Sequence, residues 1–164
     1  MSLELTLRNP DTVATSRRPL RFWRTGLGSQ LRWPAAAAAG VAVLAHLPVI
    51  GSHLSETPYV GWLFVVLSVL SVVVALALMI RDSAIVWVAT GSLFAAALLG
   101  YLISRGPGLP GLDDDRGDWT NSLGVIAVAA ESLALGLAVA TLLTGAGRGR
   151  TGSLGAESAE SAAE

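Results

Sequence analysis

Four long apolar runs separated by short polar breaks occupy the chain from position 34 to position 144. The second, "VGWLFVVLSVLSVVVALALMI", carries no charged residue at all. A hydrocarbon layer of about 30 Å takes roughly 20 helical residues to cross, and each of the four runs approaches that length. The pattern predicts spans at 34–50, 59–80, 83–103 and 123–144. Helices are expected rather than strands, because every amide in hydrocarbon must be bonded within its own segment. The first span is the weakest: it is short, rich in alanine and interrupted by His46 and Pro48.

The fold class that follows is an all-α membrane protein, an antiparallel four-transmembrane-helix bundle of left-handed packing. One tight turn joins spans two and three, and two loops lie at the other end. Residues 1–33 form a basic arm, in which Leu20, Trp23, Leu27 and Leu31 recur at helical spacing beside Arg17, Arg18, Arg21 and Arg24. That pattern suits an amphipathic helix on an anionic membrane surface, although Gly26, Gly28 and Ser29 work against it. The tail at 145–164 has no large side chain after Leu154 to bury and is expected to be disordered.

Composition sharpens the picture. Of 164 residues, 52% are hydrophobic and 14% charged, and the mean hydropathy is +0.60, outside the balance of an ordinary water-soluble domain. All 11 basic residues are arginine. With the abundance of alanine and glycine, this points to a G+C-rich bacterial genome. Arg8, Arg17, Arg18, Arg21, Arg24, Arg32, Arg81, Arg148 and Arg150 all fall at one end of the predicted bundle. The positive-inside rule makes that end cytoplasmic, with both termini there and the cytoplasmic membrane as the location. Tyr59, Trp62, Tyr101 and Trp119 fall near the other boundary and Trp33 and Trp87 near the inner one, as interfacial aromatics do. The stretch "SRRPLRF" resembles a twin-arginine export signal, but three more spans follow and no clear small-x-small cleavage site precedes His46, so the first helix is expected to be retained.

Several chemistries are excluded. There is no cysteine, hence no disulfide or thiolate chemistry. The net charge of -1 gives no basic surface for nucleic acid. "GPGLPG" and "GRGRTG" match a dinucleotide fingerprint as text, but neither follows a strand, and proline has no amide to offer a phosphate. "DDDRGD" resembles a calcium loop only at Asp113 and Asp115. No enzyme motif is present, and a non-enzymatic protein is expected.

The remaining polar residues are the candidates. Glu131 falls near the middle of span four, where a charged acid costs about 3 kcal/mol. It must face the bundle interior, be protonated, or both. Ser68, Ser71, Thr90 and Ser92 are the expected partners, and Ser132, Gly136 and Ala140 form a track of small residues for close packing. His46 lies below the outer end of span one, and Pro48 removes the hydrogen bond to the carbonyl of Leu44. His53 and Glu56 follow in the loop at a spacing of three. Together these residues suit an outward-facing copper or zinc site or a haem pocket, or else ordinary interfacial histidines. Arg105 faces Asp113, Asp114 and Asp115 across the last loop.

"HLPVIGSHLSETPYVGWLF", "YLISRGPGLPG" and "SLGVIAVAAESLAL" together resemble a group of small four-helix integral membrane proteins of high-G+C Gram-positive bacteria. The resemblance covers about residues 42–143. It implies that His46, His53, Glu56, Arg105, the Gly108–Gly111 turn and Glu131 match the distinctive positions of that group. Aspartates stand here where the group carries a histidine or glutamates after the turn, which weakens a metal role for that loop. Three functions are open at this point: a polar pocket binding a metal, haem or partner subunit; a proton- or cation-coupled transport subunit using Glu131; and a scaffold or assembly factor. The expected partners are the bilayer, with other membrane subunits or further copies of the chain.

Overall fold

The computed structural model describes residues 27, 29–111 and 115–161; Arg17, Arg18, Arg21 and Arg24 of the basic arm, and Asp113 and Asp114, lie outside the described residues. Four helices follow one another: α1 (Arg32–Glu56), α2 (Pro58–Ile80), α3 (Ala84–Arg105) and α4 (Ser122–Ser161). Each is long and apolar enough to cross a membrane, α4 through its Ser122–Gly145 portion. No strand occurs among the described residues.

Two boundaries differ from the sequence reading. The first helix does not stop at 50 but runs through Pro48 to Glu56, and the expected 1–2 loop shrinks to Thr57. Proline is tolerated in a membrane helix when neighbours satisfy the freed groups. What ends α1 is the next proline. Pro58 disfavours the helical region at the residue before it, and Thr57 takes φ -140° and ψ 77°. Pro58 then sits in the first turn of α2, where its missing amide is harmless. The second difference is in α4, which continues to Ser161 where disorder from 145 is expected. A helix already nucleated in the span propagates without a new nucleus, and Ala156, Glu157, Ala159 and Glu160 favour it.

Short connections make the helices run up and down. The end bearing Arg81–Ser83 is called the turn end below, and the end bearing Thr57 and residues 106–121 the loop end. Helix α1 packs on α2 and α4, α4 packs on α3, and α2 meets α3 only lightly. The tight interfaces are built on alanine. Ala35, Ala38, Ala39, Ala42 and Ala45 on α1 are buried, as are Ala127, Ala130, Ala134 and Ala138 on α4. Small side chains let backbones approach in a solvent that offers no hydrophobic drive between helices. At Gly61 the approach is so close that a Cβ would lie 2.6 Å from the Leu54 nitrogen.

The track of Ser132, Gly136 and Ala140 is not the one that packs; all three are exposed, and the buried track lies two residues earlier, at Ala130, Ala134 and Ala138, with Glu131 buried beside it. Outward faces carry Leu44, Trp62, Val69, Ile80 and Leu143 instead, as suits lipid contact. Trp87 departs from the interfacial expectation and is fully buried. Its Nε1–H donates to Asp82 Oδ1 at 2.6 Å. Asp82 also accepts from the Ser29 amide, and its own carbonyl accepts from the Leu27 amide at 2.8 Å. The turn end is therefore closed by one carboxylate that joins α3 to the segment before α1.

Candidate functional site

A cavity of about 390 Å³ lies between the lightly touching α2 and α3 and extends to α1 and α4. This volume falls within the ~300–1,000 Å³ typical of small-molecule sites. Its walls are mainly aliphatic, with Leu63, Leu67 and Leu70 from α2 and Leu93, Ala96 and Ala97 from α3. Leu63, Val66, Leu70, Ala96 and Gly100 line it and are also exposed, so the cavity is open sideways between the two helices. Along α3 it reaches from Leu93 to Arg105, about 18 Å at 1.5 Å per residue.

Its deepest polar feature is a pair. His46 Nε2 lies 3.0 Å from Glu131 Oε1, and both residues are buried. Because α1 ends at Glu56, His46 sits about 15 Å from the loop end, and Glu131 about 14 Å from the start of α4 at Ser122, so the two are level. The expected partners of Glu131 are differently engaged. Thr90 donates to the Val86 carbonyl of its own helix at 2.8 Å, the Ser68 and Ser71 hydroxyls are buried without a hydrogen-bond partner among the described residues, and Ser92 is exposed.

Nearer the loop end stands a second pair. His53 Nδ1 lies 2.8 Å from the Val49 carbonyl. A carbonyl only accepts, so Nδ1 carries the proton and Nε2 is left to face Asp115 Oδ2 at 3.9 Å. Asp115 is held by Arg105, whose Nη1 lies 2.6 Å from its Oδ1 and donates to its carbonyl at 2.9 Å. The Arg105 guanidinium also stands 5.5 Å from the Tyr101 ring centroid. Its Nε is buried without a partner among the described residues.

The connection after α3 folds back across this rim. Tyr59 donates to the Pro110 carbonyl at 2.6 Å and Thr57 to the Gly111 carbonyl at 3.1 Å. The Gly117 amide donates to the Arg105 carbonyl at 2.9 Å. Gly108 makes the bend with φ +90°, and a Cβ there would lie 2.7 Å from the Arg116 guanidinium.

Of the sequence candidates, the structure brings His46, His53, Arg105, Asp115 and Glu131 to one cavity. It leaves Glu56 exposed at the end of α1. His46, His53 and Glu56 do not converge, and among the described residues no group of three histidines, cysteines or acids is placed to hold a metal ion. Phe64 is the residue that sequence reasoning misses. Its ring centroid lies 5.0 Å from that of His46 and 5.1 Å from that of His53, so it stands between the two histidines. Within an unbroken apolar run, nothing in the sequence marks it.

No protein-family model matches the chain, and no curated protein or solved structure matches it.

Proposed function

We propose that the chain is a non-enzymatic protein of the bacterial cytoplasmic membrane that holds one amphipathic molecule taken from the bilayer. The molecule has a hydrogen-bonding head and an acyl or isoprenoid tail. The observation that carries this reading is the gradient along the cavity. Arg105, Asp115, His53 and Tyr101 stand at its loop end, and the α2 and α3 walls below them are aliphatic and open sideways. A head group at the rim and a tail in the cleft would lie as they do in a lipid leaflet, and entry between α2 and α3 needs no passage through water. The His46–Glu131 pair satisfies itself and can tolerate a tail beside it.

Arg32 and Arg81 stand near the turn end; the other arginines of the arm precede Arg32 in sequence, and Arg148 and Arg150 follow the spanning portion of α4. That distribution supports a cytoplasmic turn end and an outward loop end. The cleft would then draw on the outer leaflet. A copper, zinc or haem ligand has less support, since among the described residues no third metal ligand joins the histidines and the His46 Nε2 faces a carboxylate.

The test is native mass spectrometry of protein extracted from its own membranes in mild detergent, compared with Gly100→Trp. Gly100 lines the cavity and has open space where a side chain would begin, so the indole can enter without displacing a neighbour. The expected result is one retained amphipathic molecule per chain in the parent and none in a Gly100→Trp variant of unchanged helicity. A parent that carries no such molecule, or a variant that retains it, would overturn the proposal.

A further inference from the structure

Two histidine–carboxylate pairs stand on the wall of the same cavity, at different depths. The outer pair is His53 with Asp115, Nε2 to Oδ2 at 3.9 Å. The inner pair is His46 with Glu131 at 3.0 Å. One aromatic ring, that of Phe64, stands between the histidines at 5.0 and 5.1 Å between centroids. The binding of an amphipathic molecule draws on the outer pair as part of the polar rim, but it requires neither the inner pair nor the ring beside both histidines.

We infer that the two pairs form a proton-uptake path, in which protons enter from the loop end at His53 and reach the His46–Glu131 pair, with the Phe64 ring as the barrier between them.

The proton inventory balances. His53 Nδ1–H is committed to the Val49 carbonyl, so Nε2 is its accepting atom. A proton taken there from water makes an imidazolium whose new N–H faces the Asp115 carboxylate. While the cleft holds no tail, that proton then leaves to a water molecule in the cavity, which releases one of its own to the inner pair. The outer pair returns to its starting state, and the inner pair, a neutral imidazole beside a carboxylate, gains one proton and loses its negative charge as Glu131 becomes a carboxylic acid. Nothing else is consumed.

The surrounding groups fit this direction of travel. Arg105 is already bonded to Asp115 through Nη1 and holds that carboxylate in place. On α3 the other titratable group is the Tyr101 phenol, whose OH donates to the Trp119 carbonyl at 3.4 Å. The α2 wall contributes only apolar side chains, Phe64 among them. From α4 the titratable group is Glu131. Buried water needs two or more polar partners, and the face of Phe64 supplies none, so a continuous water thread from His53 to His46 requires the ring to turn aside.

The experiment uses the full chain in lipid nanodiscs and follows, after a pH jump, the infrared carboxyl band of protonated Glu131, assigned by its loss in Glu131→Gln. The expected results are three. His53→Ala slows the band by about a hundredfold, the lower end of what a positioned side chain adds to a proton transfer. Phe64→Ala speeds it, and Phe64→Trp slows it. The two Phe64 variants guard against simple loosening of the fold, which would move both rates the same way. A band that never responds to pH, a rate indifferent to His53→Ala, or Phe64 variants that shift together would each overturn the inference.

Discussion

His46 and Glu131, 85 residues apart in sequence, share a hydrogen bond of 3.0 Å inside the bundle, at the level where α1 and α4 are packed through alanine. The bond couples the first helix to the last and lines the cavity at the same time. Each partner relieves the other of facing hydrocarbon alone, so removing one is worse than removing both.

His46→Leu and Glu131→Leu are each expected to destabilise the protein by about 1–3 kcal/mol, because one buried polar group is left without its partner. The double substitution should recover much of that loss, giving a favourable coupling in a double-mutant cycle. Reversible unfolding in mixed micelles measures all three. If the double variant is as unstable as the sum of the singles, the pair has no role in holding α1 to α4.

Gly61 and Gly136 make a matched test of packing. A methyl at Gly61 meets the Leu54 backbone, whereas a methyl at Gly136 meets nothing within 4 Å. Gly61→Ala should therefore separate α1 from α2 and cost about 1–3 kcal/mol. Gly136→Ala should be neutral or raise stability by up to about 1 kcal/mol through helix propensity. Thermal unfolding of the two variants side by side decides it.

At the turn end, Asp82 serves Trp87 and Ser29 together. Asp82→Ala leaves the buried indole N–H unpaired, a loss of about 1–3 kcal/mol, and frees the segment before α1. Trp87→Phe keeps the ring's packing and leaves Asp82 bonded to Ser29, so it should be the milder change. Hydrogen exchange at the Leu27 and Ser29 amides should rise several-fold in Asp82→Ala and less in Trp87→Phe.

Arg105 organises the rim through Nη1, which meets both the carboxylate and the carbonyl of Asp115, while its planar guanidinium stands beside the Tyr101 ring, a contact lysine does not reproduce. Arg105→Lys should keep a charged donor for Asp115 but lose the guanidinium's contact with Tyr101, and Arg105→Ala should lose both bonds to Asp115 at a cost of about 1.5–3 kcal/mol. Limited proteolysis within 106–121 is the readout. Cleavage should increase in the order parent, lysine, alanine.

Much of the architecture was legible in the residues alone. Length and apolarity of the four runs determine helices that can cross a membrane, since hydrocarbon leaves the backbone few alternatives. The Arg81–Ser83 turn, the polar character of 106–121 and the polar exception at Glu131 are visible in the same way. The end of α1 was misplaced because Gly51, Ser52 and His53 read as a loop by composition, while the signal that stops the helix is Pro58. With that end corrected, the equal depth of His46 and Glu131 follows by counting.

Which neighbour each helix turns toward another is a different kind of information, and only the tertiary structure decided it. In water a polar face marks the side a helix shows to solvent. In lipid both sides are apolar, and α4 carries two small-residue tracks, Ser132–Gly136–Ala140 and Ala130–Ala134–Ala138, of which only the second is buried. The choice between them sets whether Glu131 meets the hydroxyls of α2 and α3 or the imidazole of α1. It is made by how four helices fit together, through close contacts between residues far apart in the chain, such as Gly61 against Leu54 and Phe64 between two histidines.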